Sequence, residues 1–146
     1  MSNTDIYFDH TLALLQNVNF ENKFFCISRY NVESDDKFAL QGCGDSYDVW
    51  IYKGRINIPD SDIYLGISGC DTLIALKACT SGYNVQNPCL SVKTYHLHHA
   101  DERNNNLSDG LNYWHAKGYD CGFRLAFCKL WGELHALCAL NNTSKI

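Results

Sequence analysis

The sequence has few prolines and no excess of positive charge. Only two prolines occur among 146 residues, and no low-complexity segment is present, so no linker between domains is indicated. The net charge of −4 provides no basic surface, which argues against binding to a nucleic-acid backbone. No apolar run approaches the roughly 18 residues of a transmembrane helix. What remains is a globular chain with 46% hydrophobic and 19% charged residues.

The cysteines do not form a Cys-x-x-Cys pair, so neither a zinc ribbon nor a thioredoxin-like site is indicated. The first residues also lack the basic and apolar regions of a signal peptide. An even number of cysteines suits disulfides in a secreted protein, but cysteines within apolar runs are typical of buried free thiols. We therefore predict reduced cysteines and a cytoplasmic location. The eight positions are Cys26, Cys43, Cys70, Cys79, Cys89, Cys121, Cys128 and Cys138.

Several widespread catalytic motifs are absent as well. There is no Gly-x-Ser-x-Gly nucleophile elbow, no P-loop and no glycine-rich dinucleotide fingerprint. Aromatic residues, by contrast, make up 13% of the chain, which suits either a dense core or a surface on which ring-shaped ligands stack.

The hydrophobic pattern predicts an α/β fold in which helices flank a mixed sheet. Helices are predicted at residues 10–18 and 72–81, and Gly82 is well suited to follow the second one. Strands are predicted at 24–28, 49–52, 63–65, 83–85 and 90–96, with a loop at 31–45. We expect one partial α/β domain over 1–104 and an extension over 105–146. The extension contains apolar residues at helical spacing, which predict a C-terminal amphipathic helix: Phe123, Phe127, Leu130, Trp131, Leu134 and Leu137.

Asp71 follows a glycine-bounded turn and precedes a helical pattern. Gly66 and Gly69 permit backbone conformations that a Cβ atom would hinder, so Asp71 is predicted at the edge of a turn. The N–H groups at the start of the helix are expected to favour the ionised carboxylate. Such a carboxylate is suited to general-base or ligand chemistry, and equally to an ordinary N-cap.

His96 and His98 alternate along a predicted strand and therefore lie on the same face, whereas His99 lies on the other. Two imidazoles on one face, together with a carboxylate, suit manganese or a similar ion. A surface histidine cluster before a polar loop is the alternative.

Five short blocks follow one another between residues 3 and 103. They are Asn3-Thr-Asp-Ile6, Asp48-Val-Trp-Ile-Tyr-Lys-Gly54, Leu65-Gly-Ile-Ser-Gly-Cys-Asp71, Gly82-Tyr-Asn-Val-Gln-Asn-Pro88 and Thr94-Tyr-His-Leu-His98. In order and spacing they resemble a family of glycosyltransferase-like proteins with the nucleotide-sugar transferase A-type fold. The resemblance implies transfer of a sugar from a nucleotide-sugar to an acceptor hydroxyl.

The resemblance also implies roles for particular residues. Asp5, with His98 or His96, would hold a divalent cation, Mn²⁺ or Mg²⁺, on the diphosphate, while Asn3 would contact the ribose or a water. Asp71 would deprotonate the acceptor in an inverting enzyme. From the residues alone, a segment such as Asn3-Thr-Asp5 near a chain terminus more often forms a turn or cap and tends to fray.

Three residues are predicted to contact the substrate. Trp50 is a candidate for stacking on a sugar ring, although a Trp between Val and Ile is more often a core residue. Asp45 and Asp48 are candidates for accepting hydrogen bonds from acceptor hydroxyls, and solvation of a loop explains them equally well.

The resemblance covers the acceptor-side half of such an enzyme, because related chains carry the nucleotide pocket before the first block. We therefore expect a nucleotide-sugar and a glycan acceptor as ligands, and a complementing subunit or a homo-oligomer as partner. One departure concerns Thr72 and Leu73, which replace the Asn-Arg that usually follows Asp71. Two alternatives remain: a non-catalytic remnant or partner-binding subunit, and a small carbohydrate-binding module that uses Trp50, Tyr52 and Tyr64.

Overall fold

The computed structural model describes residues 1–34, 37–40, 46–65 and 69–97. These residues form a mixed α/β structure with two sheets. The strands are β1 (Ile6–Phe8), β2 (Lys23–Ile27), β3 (Tyr30–Ser34), β4 (Lys37–Leu40), β5 (Val49–Tyr52), β6 (Asn84–Gln86) and β7 (Thr94–His96). A 3₁₀ helix spans His10–Asn17, and the α-helix α1 spans Cys70–Thr80.

Both sheets combine parallel and antiparallel pairs. The first sheet has the order β5-β2-β6, in which β2 runs antiparallel to β5 and parallel to β6. The second has the order β1-β7-β3-β4, in which only the β3–β7 pair is parallel. The predicted mixed sheet is therefore two sheets, and β2 and β3 connect them through residues 28 and 29.

Strand β2 lies at the centre of the first sheet and is buried on both faces. Phe24 and Cys26 point to one side, where they pack with Trp50 and with Ala78 of α1. The intervening residues, Phe25 among them, point to the other side and join a second apolar cluster. A continuous apolar run is the pattern expected for a strand covered on both faces, which is why this strand was correctly predicted.

Helix α1 and its end agree with the sequence pattern. The backbone N–H of Ser81 donates to Lys77 O, and that of Gly82 donates to Cys79 O. Gly82 adopts a φ of 90°, in the region that favours glycine. The predicted helix at 10–18 is present as the 3₁₀ helix, and its N-cap Asp9 accepts a hydrogen bond from Thr11 N.

The predicted loop at 31–45 is wrong where the structure describes it, because β3 and β4 form an antiparallel hairpin there. Strand β3 includes Glu33 and Ser34 of the polar run that suggested a loop, so pairing with β4 rather than local composition makes this segment a strand. Residues 41–45 lie outside the described residues.

Two further strand predictions differ from the structure. Residues 63–65 are not a strand, since β5 already pairs with β2 on one edge and with the backbone of residues 1–3 on the other. The strand predicted at 90–96 is confined to β7, because the amides of Ser91 and Val92 donate to Pro88 O in a turn. The predicted C-terminal helix and the whole extension over 105–146 lie outside the described residues.

Candidate active site

The backbone of residues 1–3 pairs with β5 and so places the first block beside the second. Trp50 N donates to Met1 O at 2.8 Å, Asn3 N donates to Asp48 O at 2.9 Å, and Ser2 lies opposite Val49. These contacts hold a segment that sequence reasoning expected to fray.

Asp5 and His96 lie next to each other at the junction of β1 and β7. The two strands pair with Ile6 opposite His96, and Leu97 N donates to Asp5 O at 3.0 Å. The His96 Nε2 and Asp5 Oδ2 atoms are 2.8 Å apart. The imidazole is buried, while the Asp5 side chain is 48% exposed. Burial lowers the pKa of His96, the positive charge of Arg29 lowers it further, and Asp5 opposes both effects.

Arg29 and Asp48 form a buried ion pair beside this contact. Arg29 Nη1 donates to both carboxylate oxygens of Asp48 at 2.9 Å. Asn3 Nδ2 also donates to Asp48 Oδ1, at 2.7 Å, and Arg29 Nε donates to Asn31 Oδ1 at 3.1 Å. Both oxygens of Asp48 therefore face protein donors, and its side chain is 5% exposed. Asp48 was a candidate for accepting a hydrogen bond from an acceptor hydroxyl, with loop solvation as the alternative. In the structure its oxygens accept from Arg29 and Asn3 instead.

Arg29 and its partner Asn31 were not among the predicted site residues, and of the two, Arg29 contacts Asp48 directly. Its only signal was a charged residue directly after a buried strand, which indicates either a ligand contact or the end of a sheet. Its partner in the structure is Asp48, which is distant in sequence, so the sequence could not show that Arg29 forms an ion pair.

Trp50 lies in the core. Its side chain is 1% exposed and packs in the cluster with Phe24 and Val85. Its indole Nε1 is buried without a hydrogen-bond partner among the described residues. The structure therefore places Trp50 in the core, which was the alternative to stacking on a sugar. Asp45, the other predicted acceptor contact, lies outside the described residues.

Asp71 is in the first turn of α1 but is not its N-cap. The helix begins at Cys70, and Gly69 precedes it with a φ of 86°. Asp71 Oδ2 instead accepts a hydrogen bond from Tyr47 N at 2.9 Å, across to the segment that leads into β5. The carboxylate thus connects the helix to the chain that carries Asp48.

Burial of Asp71 raises the pKa of its carboxyl group to about 6. The backbone N–H groups of Tyr47 and Thr72 lower the pKa, and the negative charge of Asp48 raises it. The helix N–H groups do favour the ionised form, as expected, but burial outweighs them and the pKa is raised overall. A carboxyl group with a pKa near neutrality can exchange a proton with a substrate at physiological pH.

The donors for a divalent cation are incomplete in the described part of the chain. No group of three or more His, Cys, Asp or Glu side chains suited to a metal is found there. Asp5 and His96 are close, but they contact each other through the atoms that a metal would bind. His98, the preferred second ligand, lies outside the described residues.

Comparisons of this chain with protein-family models, with curated proteins and with solved structures found no significant match. Among the described residues, neither helix has the length and apolar character that crossing a bilayer requires.

Proposed function

We propose that this chain carries the acceptor-side part of a nucleotide-sugar-dependent glycosyltransferase. The observation that carries the proposal is the convergence of residues from separate sequence blocks. Asn3 contacts Asp48, Asp5 contacts His96, and the charge of Asp48 acts on the carboxyl group of Asp71. A polar cluster built from distant blocks supports a site more strongly than any one block does.

In the proposed reaction, Asp71 accepts the proton of the acceptor hydroxyl. The acceptor oxygen forms a bond to the anomeric carbon, and the bond from that carbon to the diphosphate breaks with its electron pair on the diphosphate oxygen. The raised pKa of Asp71 supports this role, because a base works best when its pKa is near the working pH.

A divalent cation, Mn²⁺ or Mg²⁺, belongs to the proposal as a charge that stabilises the diphosphate leaving group. Its proposed ligands are Asp5 with His98, and His96 is the alternative. No step is assigned to the cation, since the described residues supply only Asp5 and His96.

The second candidate is a partner-binding subunit without activity of its own. The observation in its favour is the exposed apolar surface of the edge strand β4, where Phe38 is 46% and Leu40 is 36% exposed. Edge strands of this kind pair readily with other chains. The carbohydrate-binding module is less well supported, because Trp50 is buried and Tyr52 packs on Phe24 at a ring distance of 5.4 Å.

The decisive experiment measures heat unfolding of the full chain with manganese and, by calorimetry, binding of UDP- and GDP-sugars with and without manganese. We expect millimolar manganese to raise the melting temperature, because a ligand that binds only the folded state stabilises it. Asp5→Ala and His98→Ala should each abolish the increase. Glu21→Ala, which removes an exposed carboxylate outside the site, should retain it.

Binding of the nucleotide-sugar to this chain alone should be weak and should require manganese. An unchanged melting temperature would refute the metal component of the proposal. No binding of any donor, even with manganese and at millimolar concentration, would favour the partner-binding subunit. Micromolar donor affinity would mean that the chain is a complete small enzyme rather than the acceptor-side half.

A further inference from the structure

Asp5 combines high exposure with a fixed position. Its side chain is 48% exposed, yet Oδ2 lies 2.8 Å from a buried imidazole. The strand that follows it, β1, contributes only three residues to the sheet. In the segment before it, the side chain of Asn3 binds a distant part of the chain, since Asn3 Nδ2 donates to Asp48 Oδ1 at 2.7 Å.

Asp48 can serve as a firm attachment point because Arg29 holds it from the other side. Arg29 lies between β2 and β3, so it belongs to the connection between the two sheets, and Asp48 directly precedes β5. Both side chains are at most 6% exposed. A buried ion pair contributes little net stability, but its geometry is strict, because a misaligned charge would remain without compensation. The pair therefore suits positioning better than stabilisation.

We propose that Asp48, held by Arg29, is a positioning residue that fixes Asn3 and thereby places Asp5 against His96. Asn3 and Asp5 are separated only by Thr4, and Thr4 and Asp5 lie in a turn before β1, so fixing Asn3 restricts where Asp5 can lie. The inference rests on the proposed function for the use of Asp5, but its test needs no ligand.

The test is amide hydrogen exchange, followed by NMR, on the full-length protein carrying Asn3→Ala or Asn3→Asp. The informative amide is that of Leu97, because it donates to Asp5 O. Amides in the middle of α1 report on the whole fold. Matched controls are Asn19→Ala and Asn19→Asp, since Asn19 is also an exposed asparagine with a local hydrogen bond, to Glu21 N.

Asn3→Ala should accelerate exchange at Leu97 by about 2- to 10-fold, the range expected for loss of one hydrogen bond. Asn3→Asp should accelerate it more, because a second carboxylate would face Asp48 at hydrogen-bond distance. The urea midpoint should fall by no more than loss of one hydrogen bond allows, about 0.5–1.5 kcal/mol in the free energy of unfolding. The Asn19 variants should leave Leu97 at the wild-type rate.

Unchanged exchange at Leu97 in both Asn3 variants would overturn the inference. Acceleration in α1 without acceleration at Leu97 would also overturn it, because that result describes a loss of stability that does not reach Asp5. If Leu97 exchanges no faster in Asn3→Asp than in Asn3→Ala, the charge of Asp48 does not act on residue 3. That result would overturn the positioning role of Asp48. Failure to bind manganese would refute the metal component of the proposed function, and failure to bind any donor would favour the partner-binding subunit. Either result would leave the exchange result standing.

Discussion

The carboxyl group of Asp71 experiences two opposing influences. Backbone N–H groups of Tyr47 and Thr72 favour its charged form, whereas burial and the charge of Asp48 favour its neutral form. The second set prevails and raises the pKa of Asp71 from 3.8 to about 6. The carboxyl group of Asp71 therefore bears both on the pH dependence of stability and on the proposed general-base step.

The stability of the protein should depend on the protonation of Asp71. Between pH 3.8 and about 6 the folded protein binds more protons at this site than the unfolded chain, so the contribution of Asp71 to stability is lost as pH rises. Asp71→Asn removes this dependence. Relative to wild type, the variant should gain on the order of 2 kcal/mol between pH 4 and pH 7, since one pKa unit corresponds to about 1.4 kcal/mol.

Urea unfolding of both proteins from pH 4 to pH 7 measures the difference, with Glu21→Gln as the control for an exposed carboxylate. A constant difference between Asp71→Asn and wild type across this range would show that the pKa of Asp71 is not raised.

Asp71→Asn should also separate the catalytic role of Asp71 from a structural one. An asparagine retains an oxygen for the hydrogen bond from Tyr47 N, so the fold should persist. If the chain transfers sugar, alone or with a complementing subunit, turnover should fall about 10²- to 10⁴-fold, the usual contribution of a general base. Initial rates for wild type and variant at equal folded concentration measure this loss. Rates within a few-fold of each other would limit Asp71 to its structural hydrogen bond.

The sequence indicates the location and partners of some residues but not of others. Asp5 and His96 were both predicted site residues, and the structure brings them into contact. Trp50 was ambiguous, because burial depends on neighbours such as Val85 that are distant in sequence. The pairing of Arg29 with Asp48 was not predictable for the same reason, since nothing local to either residue identifies its partner.

Among the helices and strands, those with many buried apolar residues were predicted correctly. The strand that is mostly exposed, β4, was not. Strand β2 and helix α1 carry dense apolar residues and were predicted. Strand β4 has three exposed residues and one partly buried residue, so its short pattern was read as a loop. Pairing with β3, rather than local preference, makes it a strand.

The end of helix α1 offers a direct test of backbone geometry. Gly82 has a φ of 90°, and a Cβ added there would meet no atom within 4 Å. Gly82→Ala should therefore destabilise through backbone strain alone, by about 1–2 kcal/mol. Gly82→Asn should cost less, because asparagine tolerates this region better. Urea unfolding of both variants measures the two costs. An alanine variant as stable as wild type would indicate that the helix ends differently.

For the whole molecule, the order of the strands in the sheets could not be predicted from the sequence pattern. The sequence predicted helices flanking a mixed sheet, and the described residues are mixed α/β. The order β1-β7-β3-β4, however, joins strands from both ends of the described chain. Periodicity reports which residues are buried, but it does not report which strand lies beside which.

The cysteines should report on packing throughout the molecule. No disulfide joins any two of the described cysteines, which are Cys26, Cys70, Cys79 and Cys89. Cys26 is 1% exposed and Cys89 is 8% exposed, and burial raises the pKa of Cys26, so both should alkylate slowly. Cys70 and Cys79 are only partly buried and should react first.

Alkylation of the native protein, resolved by peptide mass spectrometry, gives the order of reaction. A urea-denatured, non-reduced sample is the control and should yield all eight thiols. A disulfide-linked peptide between any two of the four described cysteines would contradict the structure.

The pairing of β1 with β7 has a consequence for synthesis on the ribosome. Asp5 and His96 are 91 positions apart, and β3 also requires β7 as its parallel partner. A nascent chain can pair residues 1–3 with β5 early, but the β1 edge and Asp5 must wait until β7 has left the exit tunnel. Closing so long a loop is slow, and unpaired strands are exposed in the meantime. The β1–β7 and β3–β7 pairs, and with them the contact between Asp5 and His96, are therefore expected to form only after β7 has emerged.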